Sequence, residues 1–126
     1  MTTNITDQIL VVDDSNAVRS IVRKILTQLG YIEVDEASDG AAAFAKMNVK
    51  PYALVISDWN MEPMSGKALL VQARSTKKME KIPFIIMTTG SDQYKVIKAR
   101  FDTICFIDKP FSAEALQSKI SELNIK

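Results

Sequence analysis

Short apolar runs recur along this chain, each followed by a stretch with helical spacing, and that alternation restricts the fold more than any other feature. QILVV (8–12), YALVIS (52–57), FIIMT (84–88) and ICFI (104–107) are nearly continuous in apolar or β-branched residues. Runs of this length suit strands buried on both faces. EVDEA (33–37) is more polar and reads as an edge strand. After the first run, Val18, Ile21, Val22, Ile25, Leu26 and Leu29 recur at helical spacing, with Ser15 placed to cap the start and Gly30 the end. DGAAAFAKM (39–47) is alanine-rich and helical, stopped before Pro51. Ser65 caps a third helix that ends near Ser75, and SDQYKVIKARF (91–101) is a fourth. A last helix begins at Ser112, with Leu116, Ile120 and Leu123 on one face. Strand then helix, five times over, predicts an α/β fold: a five-stranded, mostly parallel sheet, doubly wound by helices on both faces.

The size of 126 residues argues for one domain, with no linker or second domain. A formal net charge of +1 gives no global field toward nucleic acid or a membrane surface. Lys95, Lys98 and Arg100 read as a solvated helix face. The start, MTTNITDQ, lacks the layout of a signal peptide, and no apolar run approaches the roughly 18 residues of a membrane span. Cys105 has no second cysteine to pair with and reads as a core residue in a reducing compartment, so a cytoplasmic location is expected. Histidine is absent, which removes Ser-His and Cys-His nucleophile pairs and most zinc sites. The oxygen ligands that remain suit hard cations such as Mg2+.

In parallel α/β sheets, ligand chemistry gathers beyond the carboxyl ends of the strands. The first strand ends in Asp13-Asp14, the third in Asp58, the fourth in Thr88-Thr89, and the fifth is followed by Asp108-Lys109-Pro110. Singly, each has a plain reading: a helix cap, a turn residue, a strand exit, a solvated lysine. Together they aim three carboxylates, a hydroxyl and an ammonium at one rim. Carboxylates so placed repel each other, and a divalent ion such as Mg2+ relieves the repulsion while keeping waters for a phosphate to replace. A carboxylate can also act as nucleophile and form an aspartyl-phosphate. Lys109 and Thr88 could then hold the phosphoryl oxygens.

At these residues the sequence resembles the receiver domain of two-component response regulators, of the stand-alone chemotaxis (CheY) type. The resemblance rests on Asp13-Asp14, DWNM at 58–61, Thr88 and KPF at 109–111, in order, and spans nearly the whole chain. It implies the flavodoxin-like strand order 2-1-3-4-5. It implies that Asp58 accepts phosphate from a histidine of a partner kinase. It further implies that Asp14, Asp58 and the backbone carbonyl of Asn60 bind Mg2+, with Asp13 helping through water. Thr88 would bond the phosphoryl group, Lys109 would pair with it, and Phe106 would be the switch aromatic, though a plain core residue is the alternative for Phe106. A cis Lys109-Pro110 peptide is also implied. Three positions depart from the family pattern: Glu62, followed by Pro63, replaces the usual proline; Phe106 replaces tyrosine; Asp108 replaces a valine of the output face. The last two bear on flagellar-motor binding.

The expected function is therefore a Mg2+-dependent phosphorylation switch that catalyses its own phosphate uptake and loss but makes no metabolite, so it is not an enzyme in the ordinary sense. Expected partners are a histidine kinase, an output protein (a flagellar switch protein being one candidate) and a phosphatase, with no nucleic acid and no membrane. The protein is expected to be a monomer. A phosphorelay shuttle or phosphate sink that does not act on the motor is the alternative. A haloacid-dehalogenase-type phosphotransferase is a remoter one, because it needs a second acid where Asn60 stands. A flavin-binding module would want a Ser/Thr/Gly loop after the first strand, where Asp13-Asp14 would repel a bare phosphate.

Overall fold

In the computed structural model, residues 8–61, 64–88 and 103–123 are described. Strands β1 (Ile9–Val12), β2 (Val34–Ala37), β3 (Leu54–Asp58), β4 (Phe84–Thr88) and β5 (Ile104–Asp108) alternate with helices α1 (Asn16–Gln28), α2 (Gly40–Val49) and α3 (Gly66–Arg74). A 3-10 turn (Lys77–Met79) precedes β4, and helix α4 (Ala113–Leu123) follows β5. The helix expected at 91–101, together with Glu62, Pro63, Thr89 and Gly90, lies outside the described residues.

The five strands form one sheet in the order β2-β1-β3-β4-β5, and every pair is parallel. Side chains alternate across a strand, so each strand feeds two cores. Leu10, Val12, Val55, Phe84, Ile86 and Phe106 pack under α2 and α3, which contribute Ala43, Met47, Leu69, Leu70 and Ala73. Ile9, Val11, Leu54, Ile56, Ile85, Met87, Cys105 and Ile107 pack under α1 and α4, which contribute Val22, Leu26, Leu116 and Ile120. The central strands have no solvent face, which explains their uninterrupted apolar runs. β2 has one neighbour and carries Asp35 and Glu36, as an edge strand should.

The helix ends are set by the expected residues. The Ser15 hydroxyl accepts from the Val18 amide at 3.2 Å. At the other end of α1, Gly30 adopts φ 101°. Its amide donates to Thr27 and that of Tyr31 to Leu26, closing the helix with a left-handed residue that favours glycine. Asp39 is the cap of α2 rather than its first residue, accepting from the Ala42 amide at 2.9 Å, and the helix continues two residues beyond Met47. Ile21 is the exception among the apolar positions of α1. It is 57% exposed, because the buried stripe centres on Val22 and Leu26 and Ile21 falls about 100° from Val22. No helix among the described residues is long and apolar enough to cross a membrane.

Candidate functional site

Parallel pairing brings the carboxyl ends of β1, β3, β4 and β5 to one edge of the sheet. The apolar part of each strand is locked in the core, so the first polar residue after it is held at this rim. Asp13 follows Val12 and is buried, Asp14 is exposed, and Asp58 closes β3 with its carboxylate half-buried. Each of the three offers a carboxylate oxygen, and these oxygens lie within 4.8 Å of one another. Lys109, immediately after β5, reaches back over the rim. Its Nζ lies 3.1 Å from Asp58 Oδ1 and 3.3 Å from Asp13 Oδ2. The Lys109-Pro110 peptide is cis, as expected.

The charges in this cleft conflict. Burial, together with the negative charge of Asp13, holds the Asp58 carboxyl above its usual range, against the opposing pull of Lys109 and of the Trp59 amide. Burial works against the Lys109 ammonium, yet its contacts with Asp58 and Asp13 hold it above its usual value. Among the described residues, one lysine thus pairs with two of the three clustered carboxylates, Asp58 and Asp13, and leaves an excess of negative charge. Hard oxygen donors with uncompensated charge are the donor set of a magnesium-type cation.

Thr88 and Asp108 close β4 and β5 as direct neighbours, and the Lys109 amide donates to the Thr88 carbonyl at 2.8 Å. Asn60 lies exposed in the loop after β3, two residues beyond Asp58. Phe106 does not face the cleft. It is buried in the core under α2 and α3, and its ring meets the half-buried Trp59 edge-on, with centroids 6.3 Å apart. The residue next to Asp58 is thereby in contact with the aromatic of β5.

Three features of the site had weak or no sequence signals. Arg19 donates to the Asp13 carbonyl and to Asn16 Oδ1 while its Nε pairs with Glu36 at 2.9 Å, pinning the loop that carries Asp13-Asp14. No motif marks this arginine. Gly66 is the first residue of α3, and a Cβ there would stand 1.9 Å from the carbonyl oxygen of Asp58. A glycine directly after a helix cap is a poor helix former, and that was the available clue. The Thr88 hydroxyl donates to Asp108 Oδ1 at 2.7 Å, a contact that follows only from the strand register.

The sequence model of the family described as "Response regulator receiver domain" matches residues 9–121. The chain is 37% identical over 115 residues to chemotaxis protein CheY1 of Helicobacter pylori, covering 90% of this chain and 93% of that protein. A chemotaxis protein CheY homolog of Campylobacter jejuni is 36% identical over 118 residues, covering 92% of this chain and 91% of its own length. Among solved structures, Vibrio cholerae chemotaxis protein CheY4 superposes with a TM-score of 0.85 at 30% identity, covering 94% of this chain and 98% of that one. Family match, relatives and the parallel 2-1-3-4-5 sheet agree, and the chain belongs to the response regulator receiver family, of the CheY type.

Proposed function

We propose that Asp58 is the phosphoacceptor of a Mg2+-dependent signalling switch fed by a histidine kinase. The observation that carries this reading is the clustering of three carboxylates around Asp58, with the Lys109 ammonium 3.1 Å from its Oδ1. Asp58 is held on a rigid strand end, so an oxygen of its carboxylate can attack the phosphorus of a phosphohistidine in line with the departing nitrogen. The P–N bond breaks, the imidazole takes a proton, and an acyl phosphate forms on Asp58. Lys109 then exchanges its carboxylate contact for a phosphoryl oxygen, and Thr88 donates its hydroxyl to another. Asp13, Asp14 and Asp58, with the Asn60 carbonyl, are the groups that would hold Mg2+, which when bound offsets the negative charge gathered by donor and acceptor. The domain acts by changing its surface rather than by turning over a metabolite, and its output leaves through a binding partner, with Phe106 as the switch aromatic. A cytoplasmic location fits a kinase that draws on ATP.

Asp58→Asn should abolish labelling by acetyl phosphate, and labelling of the parent should disappear in chelator. Intact-mass measurement reads both. Full labelling of the asparagine variant would remove Asp58 from its role. Strand-end acidity shared with a haloacid-dehalogenase enzyme does not favour that alternative, because Asn60 supplies no second acid.

A further inference from the structure

Thr88 and Asp108 are in register across β4 and β5, and residues in register project from the same face of the sheet. The preceding residues on that face are Phe84 and Ile86 on β4 and Ile104 and Phe106 on β5, all in the core under α2 and α3. The row therefore ends in one polar pair at the rim of the cleft. The Thr88 side chain is buried, at 5% exposure, while Asp108 is exposed. Between them runs the 2.7 Å hydrogen bond from the threonine hydroxyl to Asp108 Oδ1.

A hydroxyl has one proton to donate. While that proton is on Asp108, it is not available to a phosphoryl oxygen on Asp58. An ionised acceptor makes the bond stronger than a neutral one would, and threonine has only a few staggered positions to choose between. We propose that Asp108 is a positioning residue that holds the Thr88 hydroxyl turned toward β5, competes with the phosphoryl group for it, and so raises the threshold of the switch. This rests on the reading that Asp58 takes the phosphoryl group. Lys109 directly follows Asp108, and its amide is bonded to the Thr88 carbonyl, so release of Thr88 and the response of Lys109 are linked across the joined ends of β4 and β5.

Removing Asp108 also removes a negative charge near an anion site, and the test must separate the two effects. Beryllofluoride affinity in saturating Mg2+ is measured by fluorine NMR for the parent, Asp108→Ala, Thr88→Val and the double variant. Asp108→Ala should bind about three- to tenfold more tightly than the parent. In the Thr88→Val background the same substitution should change affinity by less than about twofold, because no hydroxyl is left to release. Equal gains in both backgrounds would reduce Asp108 to a simple charge effect and overturn the proposal, as would no gain in either. Scalar couplings at Thr88 without any phosphate mimic give a second readout. One rotamer in the parent and averaging in Asp108→Ala are expected, and one rotamer in both would overturn the lock. A parent that takes up no beryllofluoride with Mg2+ overturns the acceptor reading and the lock together, whereas a parent that binds it while Asp108→Ala gains nothing overturns the lock alone.

Discussion

At Asp58 the site's opposing forces meet in one side chain. Burial and Asp13 disfavour its charge, Lys109 favours it, and the Trp59 amide donates to its Oδ1 at 3.0 Å. Trp59 is half-buried beside this carboxylate and its ring meets that of Phe106, so its indole samples both the Asp58 carboxylate and the aromatic of β5. A divalent ion in the cleft would change the local charge and, if the Asn60 carbonyl is a ligand as proposed, fix the backbone from Asp58 to Asn60. Mg2+ titration should therefore quench indole emission saturably, and the change should shrink in Asp14→Asn and alter again with beryllofluoride. A flat emission through the millimolar range, in folded protein, would take the metal out of this account.

Two elements set the geometry around that residue. α3 starts so close to the end of β3 that only glycine fits at Gly66. Gly66→Ala forces Cβ against a backbone carbonyl, which cannot swing aside as a flexible side chain would. A loss of about 2–4 kcal/mol in denaturant unfolding is expected, with slower labelling of Asp58 because the strand end moves. Unchanged stability and labelling would show that the helix start gives way freely. The edge strand β2 is held by charge. Glu36 pairs with Arg19 and Arg23 at 2.9 and 2.8 Å, and Asp35 pairs with Lys50 at 2.8 Å and accepts from the Tyr52 hydroxyl at 2.6 Å. The Arg23 contact, with Arg19 adding to it, lowers Glu36 below its usual 4.5, and Lys50 with Tyr52 lowers Asp35 below its usual 3.8. Groups lowered in the folded state bind protons more weakly than in the unfolded chain. Their contribution is full above those usual values and is lost as pH falls through the lower folded ones. The part of the melting temperature that these two groups supply should thus fall as pH drops below 4.5, opposed by Asp58, whose raised carboxyl stabilises the fold as it takes up its proton. Glu36→Gln should cost about 0.5–1 kcal/mol at neutral pH, discounted for partial exposure and salt, and should flatten that acid slope. An unchanged slope in Glu36→Gln would show that the ion pairs do not hold the strand.

For the whole molecule, the acidic cleft gathers repelling carboxylates at one edge of the sheet, at a cost in stability. Among the described residues, three carboxylates are gathered where one ammonium pairs with two of them. A ligand that binds only the folded form stabilises it by mass action, about 1.4 kcal/mol at ten times its dissociation constant. At that concentration Mg2+ should raise the melting temperature by roughly 4–6 °C. Asp58→Asn should melt higher than the parent without metal, because one repelled charge is gone, and should gain less from Mg2+. A calorimetric scan in which the parent is indifferent to Mg2+ would show that the cleft is not a cation site.

What the chain determined by itself was the kind of fold and the identity of the residues at its rim. Apolar runs such as FIIMT can be satisfied only between two layers of helix, and strand then helix repeated in order forces parallel pairing. The first polar residue after each run then has to emerge at the same edge, which is why Asp13, Asp14, Asp58 and Lys109 group together from the sequence alone. Capping followed from single residues, because Ser15 and Gly30 act through bonds to amides and carbonyls a few positions away. Tertiary structure decided the rest. Strand register made neighbours of Thr88 and Asp108, twenty residues apart. The close approach of α3 to β3 demanded Gly66, and the packing of α1 across β1 and β2 gave Arg19 to the Asp13 loop while leaving Ile21 in solvent. The division has one physical cause. Periodicity and capping are local and repeat along the chain, whereas register, helix approach and long-range ion pairs are set by how whole layers fit together.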